Sequence, residues 1–191
     1  METAGGLLTA FGLAASAGLN AYIPLLIVAL LGRFTNWFTL NSPWDALTSW
    51  WVIGALVILT LIEFFADKAP AINHVNDAIQ TFVRPAAGAI LFAASTRAVG
   101  GVHPILAMIA GLLVAGGVHT VKAAAVRPAV TATTAGVGNV PVSLAEDLLA
   151  ASVSIAAIVV PVVIAGLLIV IVSLFVWWLW RRSNAMTTGS T

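Results

Sequence analysis

Cysteine is absent from the 191 residues, and with it go disulfides, thiolate metal sites and cysteine nucleophiles. Charge is nearly as scarce. Only 8% of the residues are Asp, Glu, Lys or Arg, where a soluble domain carries roughly 25%, so there are too few charged side chains to coat a surface facing water. The net charge of +1 offers no basic field for nucleic acid. The chain is instead 61% hydrophobic, with a mean hydropathy of +1.07. Lipid is then the solvent, and the backbone must satisfy its own hydrogen bonds, as helices or a closed barrel do. Long apolar runs without alternation predict helices. At about 20 residues per span, the length accommodates five or six crossings and no soluble domain.

Leu7 to Leu31 reads as the first span, closed by Arg33. Ala15-Ser16-Ala17 resembles a signal cleavage site, but Met1-Glu2-Thr3 lacks the positive charge such signals carry. Residues 34 to 50 hold Phe34, Trp37, Phe38, Trp44 and Trp50, an aromatic stretch suited to the headgroup level. Within it, Ser42-Pro43-Trp44-Asp45 has the form of a helix start. A second span follows over about 51–65. Residues 66–84 are too polar for lipid and too apolar for a loop, and predict a segment that re-enters the membrane or lies along it. Pro85 to Ala98 has the length of a half or tilted span. Gly100-Gly101 forms a turn, and Val102 to Val118 the next apolar segment. Residues 119–147 are again mixed, with Ser143-Leu144-Ala145-Glu146 as a capping box opening a last helix over Leu148 to Trp180, which Pro161 kinks. Trp177, Trp178 and Trp180, then Arg181 and Arg182, predict a cytoplasmic C-terminus and a loose tail over 183–191.

Phe82-Val83-Arg84-Pro85-Ala86 is echoed by Ala125-Val126-Arg127-Pro128-Ala129. Interrupted segments at matching places in two halves point to inverted repeats around a midplane site. The expected fold is therefore all-α, a polytopic transmembrane helical bundle over 1–182. It divides into two inverted three-helix repeats, 1–99 and 100–182, with broken or re-entrant segments.

Ionisable residues inside a membrane are costly and need partners or a watery path. Glu63 and Asp67 share a helix face at four-residue spacing, with Lys68 beside them. Asn73, His74, Asn76 and Asp77 form a second polar group, with spacings open to a shared ligand, a proton relay or a plain amphipathic face. His119 and Lys122, with Arg127 and Arg84, are anion-binding candidates, arginine's fork matching phosphate oxygens. The positive-inside rule, which makes them cytoplasmic anchors, accounts for them better. Asn20, Asn139 and the Thr131–Thr134 run suit a pore lining or interhelical bonds. Glu146 has a capping role open to it, and Asp147 lies where a helix N-terminus favours an acid.

These residues, taken in order, resemble a family. Gly18-Leu19-Asn20-Ala21-Tyr22-Ile23-Pro24-Leu25, then Glu63-Phe64-Phe65-Ala66-Asp67-Lys68-Ala69-Pro70 with Asp77 and Arg84-Pro85, then His119 with Lys122, and 139–147 are similar to the bacterial membrane proteins of domain-of-unknown-function family 4126. The resemblance covers about residues 7–165. It implies a polytopic inner-membrane protein and carries no established activity. Where that pattern places an acid near position 73, this chain has Asn73, which speaks against a carboxylate-rich metal site.

The leading expectation is a small transporter or channel for an ion or solute, its polar path running between two halves. Glu63, Asp67 and Asp77 are the proton- or cation-handling acids, with Lys68, Lys122 and Arg127 as counter-charges. A membrane enzyme or flippase for a phosphorylated lipid, with His74 or His119 as base, is the alternative, and a structural protein without turnover the third. The bilayer is the expected partner, a small ion or anionic solute the expected cargo, and a homo-oligomer stays open. No cofactor and no metal is called for.

Overall fold

The computed structural model describes residues 2–35, 39–67, 70–97 and 102–187. Trp37, Phe38, Lys68 and the Gly100-Gly101 turn lie outside them, as do the side chains of Asn73 and His74. The described residues are overwhelmingly helical, with no strand among them: α1 (Glu2–Leu19), α2 (Tyr22–Phe34), α3 (Trp50–Ala66), α4 (Pro70–Arg97), α5 (Pro104–Val121), α6 (Arg127–Thr134) and α7 (Asn139–Thr187). The expected helical bundle is what the chain forms. By length and composition Val75–Thr96, Pro104–Thr134 and Asn139–Pro161 can each cross a membrane, and Gly5–Leu19, Tyr22–Phe34 and Trp50–Ala66 are shorter apolar helices.

The boundaries differ from the expected ones, each for a local reason. The run Leu7–Leu31 is two helices, not one. Proline at position 24 lacks an N–H and its ring crowds the carbonyl four residues back, which belongs to Asn20. The helix stops there, and the Asn20 side-chain oxygen accepts the N–H groups of Tyr22 and Ile23, both at 3.0 Å, restarting it as α2. The opposite happens at Pro85, which sits inside the single helix α4, so residues 66–84 and 85–98 are not separate segments. A spanning helix tolerates proline because its neighbours re-satisfy the freed carbonyl.

Residues 119–134 likewise continue α5, through a π turn over Lys122–Val126 into α6. The chain reverses at Ala135 and Gly136, both left-handed (φ 52° and 88°), and Thr134 Oγ1 closes the turn by accepting the Gly138 N–H at 2.9 Å. α7 therefore opens at Asn139, ahead of Ser143, and continues to Thr187, past Ser183. The Trp44–Thr48 stretch is a 3-10 turn, after which Ser49 caps α3 by accepting the Val52 N–H at 3.3 Å.

Helix α1 is the centre of the bundle, flanked by α4, α5 and α7. Small residues allow the close approach that lipid-embedded helices rely on. A Cβ on Gly88 or Gly111 would collide with the facing backbone of α5 or α4, and one on Gly12 would meet Ala157 Cβ at 2.6 Å. Hydroxyls zip α1 to α7: Thr9 donates to the Ala157 carbonyl (2.7 Å), and Ser16 to that of Ala150 (2.7 Å). Phe11 meets Phe92 edge-on at 5.0 Å, and Trp44 packs inward against the group of Ala10, Ala14, Phe92, Ala93 and Ala107. These contacts make α1, α3 and α5 run one way and α2, α4 and α7 the other. The outer surface is apolar, with Trp51, Ile58, Leu61, Phe65 and Leu113 among its exposed side chains, as expected of a bundle coated by hydrocarbon rather than water.

Candidate functional site

One level of the bundle is different. There α1 ends, α2 begins, α3 ends, α4 passes through, the π turn interrupts α5–α6, and α7 makes its first turns. Each contributes polar side chains that face inward. Arg84 of α4 pairs with Glu63 of α3, Nη2 to Oε1 at 2.9 Å. Its Nη2 also lies 3.9 Å from Asp67 Oδ2. Arg127 of α6 reaches the same Asp67 oxygen at 3.3 Å and Glu146 Oε2 of α7 at 3.3 Å. Lys122 closes the chain on Glu146 Oε2 at 2.8 Å. Three acids thus meet three bases, and none of the six side chains is more than 9% exposed. With every group ionised the network carries no formal charge, which is how buried charges are tolerated in a medium of low dielectric.

Asp67 is the hub. Besides facing the two arginines, it accepts from Asn76 Nδ2 at 2.6 Å and from the Ser143 hydroxyl at 3.3 Å. The echoed Arg-Pro motifs of the two halves therefore deliver their arginines to one carboxylate. Helix ends take part as well. Lys122 Nζ donates to the Leu19 carbonyl at 3.0 Å, a cation on the exposed carbonyls that end α1. Asn20, while its oxygen starts α2, donates from Nδ2 to Asp147 Oδ1 at 2.9 Å.

The π turn explains how Lys122 and Arg127 share one partner. Its defining bond, from the Arg127 N–H to the Lys122 carbonyl, stacks residues five apart on the same side of the helix. In an α-helix they would diverge by about 140° at ~100° per residue. Pro128 gives the reason for the turn, because its ring would crowd the carbonyl of Ala124 in regular α geometry.

His119 is buried beside Arg84, its Nδ1 3.2 Å from Nη1 and its Nε2 3.2 Å from Thr81 Oγ1. A guanidinium only donates, so Nδ1 accepts. The Thr81 hydroxyl already donates to the Asp77 carbonyl at 2.8 Å, so Nε2 carries the proton and gives it to Thr81. Gln80, one turn before Arg84, is 1% exposed and lies beside Tyr22.

A family described as Domain of unknown function (DUF4126) matches residues 7–182. The chain belongs to this family. Comparison with curated proteins and with solved structures finds no match.

In this DUF4126 chain the structure gathers Glu63, Asp67, Arg84, His119, Lys122 and Arg127 at one place, with Asp147 joined through Asn20. Asp77 is half-buried at the rim. Asn139 is elsewhere: it bonds Thr131 (Nδ2 to Oγ1, 3.0 Å) at the α6–α7 turn. Glu146 is not a cap, because α7 begins before it and its carboxylate serves Lys122 and Arg127. Among the described residues no three His, Asp or Glu side chains are arranged to hold a metal ion. Gln80 and Thr81 were not singled out from sequence, although Gln80 precedes Arg84 by one helical turn, a spacing that places it on the same face.

Proposed function

We propose that the protein is a small membrane transporter or channel for an ion or small solute, with this network as its polar waypoint. The observation that carries the reading is the meeting of six buried charged side chains with the α1–α2 reversal and a π turn. Helix ends that face a polar site recur in transporter binding sites, and π turns gather at functional positions. Depth supports it. Trp50 carries Arg33 over its ring at 4.7 Å, marking one membrane edge. Helix α2, 13 residues long, separates that edge from Asn20 by about 20 Å, against a hydrocarbon thickness of about 30 Å.

Glu63, Asp67 and Asp77 are the acids of the pathway, with Lys122, Arg127 and Lys68 as counter-charges. Arg33, Arg97, Arg181 and Arg182 fall at one end of the bundle by helix direction, which supports a bacterial inner-membrane protein with a cytoplasmic C-terminus. The lipid-enzyme or flippase reading is weaker, since Arg84, Lys122 and Arg127 each already face a carboxylate rather than a vacant phosphate grip.

Flux of a panel of ions and small solutes into proteoliposomes tests the proposal, with Asp67→Asn as the variant. Flux in the wild type and its loss in the variant are expected. Undiminished flux in folded Asp67→Asn removes these acids from the path, and a panel with no flux at all returns the network to a purely structural role.

A further inference from the structure

The Arg84–Glu63 pair is made with one leg only. A guanidinium and a carboxylate can form two parallel bonds, but here Nη2 binds Oε1 while Arg84 Nε and Glu63 Oε2 have no hydrogen-bond partner among the described residues. Gln80 Oε1, one turn away on the same face of α4, has none either. All three side chains are 0–1% exposed. Leaving such groups unmatched in a buried place is costly, and the set has a definite complement. Two acceptors and one donor call for a molecule that donates twice and accepts once, small enough to fit inside a packed bundle. Water is that molecule.

We propose that a water molecule bridges Glu63 Oε2, Gln80 Oε1 and Arg84 Nε, and that the pathway accordingly carries protons in preference to metal cations. This rests on the transport reading above and names its cargo. The electrostatics point the same way. The six-charge network is already neutral, and the bridging position faces a guanidinium N–H, so a bare metal cation there would meet positive charge with only two oxygens to hold it. A proton needs no such cage. An excess proton on the bridging water passes to Glu63 Oε2, leaving the water intact and the glutamate as a neutral acid; release reverses the step. The groups that surround the position are Tyr22 of α2, Asp67 at the end of α3, and His119 and Lys122 of α5 and the π turn.

The test uses the full chain in proteoliposomes loaded with the pH dye pyranine and driven by a potassium diffusion potential, with radioactive sodium and rubidium uptake in parallel. Proton flux is expected without metal-cation flux. Gln80→Met keeps the length but removes the acceptor, and should lower proton flux about tenfold, the equivalent of one lost hydrogen bond. Undiminished proton flux in folded Gln80→Met overturns the water bridge. Sodium or rubidium flux in place of protons overturns the proposal while transport stands, and no flux of any solute removes both. Should Gln80→Met fail to fold, the wild type alone decides by infrared spectroscopy. A buried-water O–H band that shifts with heavy-oxygen water supports the bridge, and its absence refutes it.

Discussion

At the scale of single residues, the pairing around Asp67 sets the expectations. Removing one partner from a buried charge pair leaves the other uncompensated and costs about 3–5 kcal/mol. Asp67→Asn strips a counter-charge from Arg127 and from Arg84 at once, so its unfolding free energy in mixed micelles should fall by about that amount. In a double-mutant cycle with Arg127→Gln, the coupling should be about 1–3 kcal/mol. A coupling near zero would mean that the two side chains are separately solvated. Much of this group was legible in the chain, because intramembrane charges are rare enough to be candidates on sight. Glu146 was misplaced for a physical reason. A capping box is a local pattern, and nothing local tells that α7 starts a turn earlier, freeing that carboxylate to face Lys122.

At the scale of elements, the π turn is the joint that aligns two cations with one acid. Pro128→Ala removes the ring that crowds the Ala124 carbonyl, so α geometry should return and swing Arg127 to about 140° from Lys122. Circular dichroism should show undiminished helix content, while unfolding in micelles shifts to lower denaturant as Arg127 leaves Glu146 and Asp67. Stability equal to the wild type would make the turn incidental. Apolar length and aromatic edges revealed the helices, but not where proline breaks them. Pro24 ends a helix and Pro85 does not, although the same missing N–H is involved. The difference lies in the company each keeps: Asn20 offers a side-chain cap that lets the backbone turn away, whereas Arg84 and Pro85 sit in a helix held on both flanks by α1 and α5. That information is tertiary and no window of sequence contains it.

At the scale of the whole molecule, helix directions place Asp45 at one end and the α6–α7 turn at the other. The absence of cysteine makes this easy to check. Asp45→Cys and Val137→Cys are both at exposed positions, Val137 being 80% exposed. A maleimide that cannot cross membranes should label only one of the two in intact spheroplasts and both after permeabilisation. Labelling of both from the same side would overturn the assigned directions. The bundle as a whole was readable from composition, since so few charges leave lipid as the only compatible solvent. Which helices neighbour one another was not, because between apolar helices in lipid the choice is made by glycine and serine contacts that look alike in sequence.

The order in which the six charges appear along the chain bears on biogenesis. Glu63 and Asp67 leave the ribosome well before Arg127, and Glu146 comes last of all. Helix α3 emerges with two of the acids and none of the three bases until α4 brings Arg84, and only the arrival of α7 neutralises Lys122. A nascent chain halted before that point would hold stranded charge in the bilayer, a mark by which membrane quality control can recognise an unfinished product.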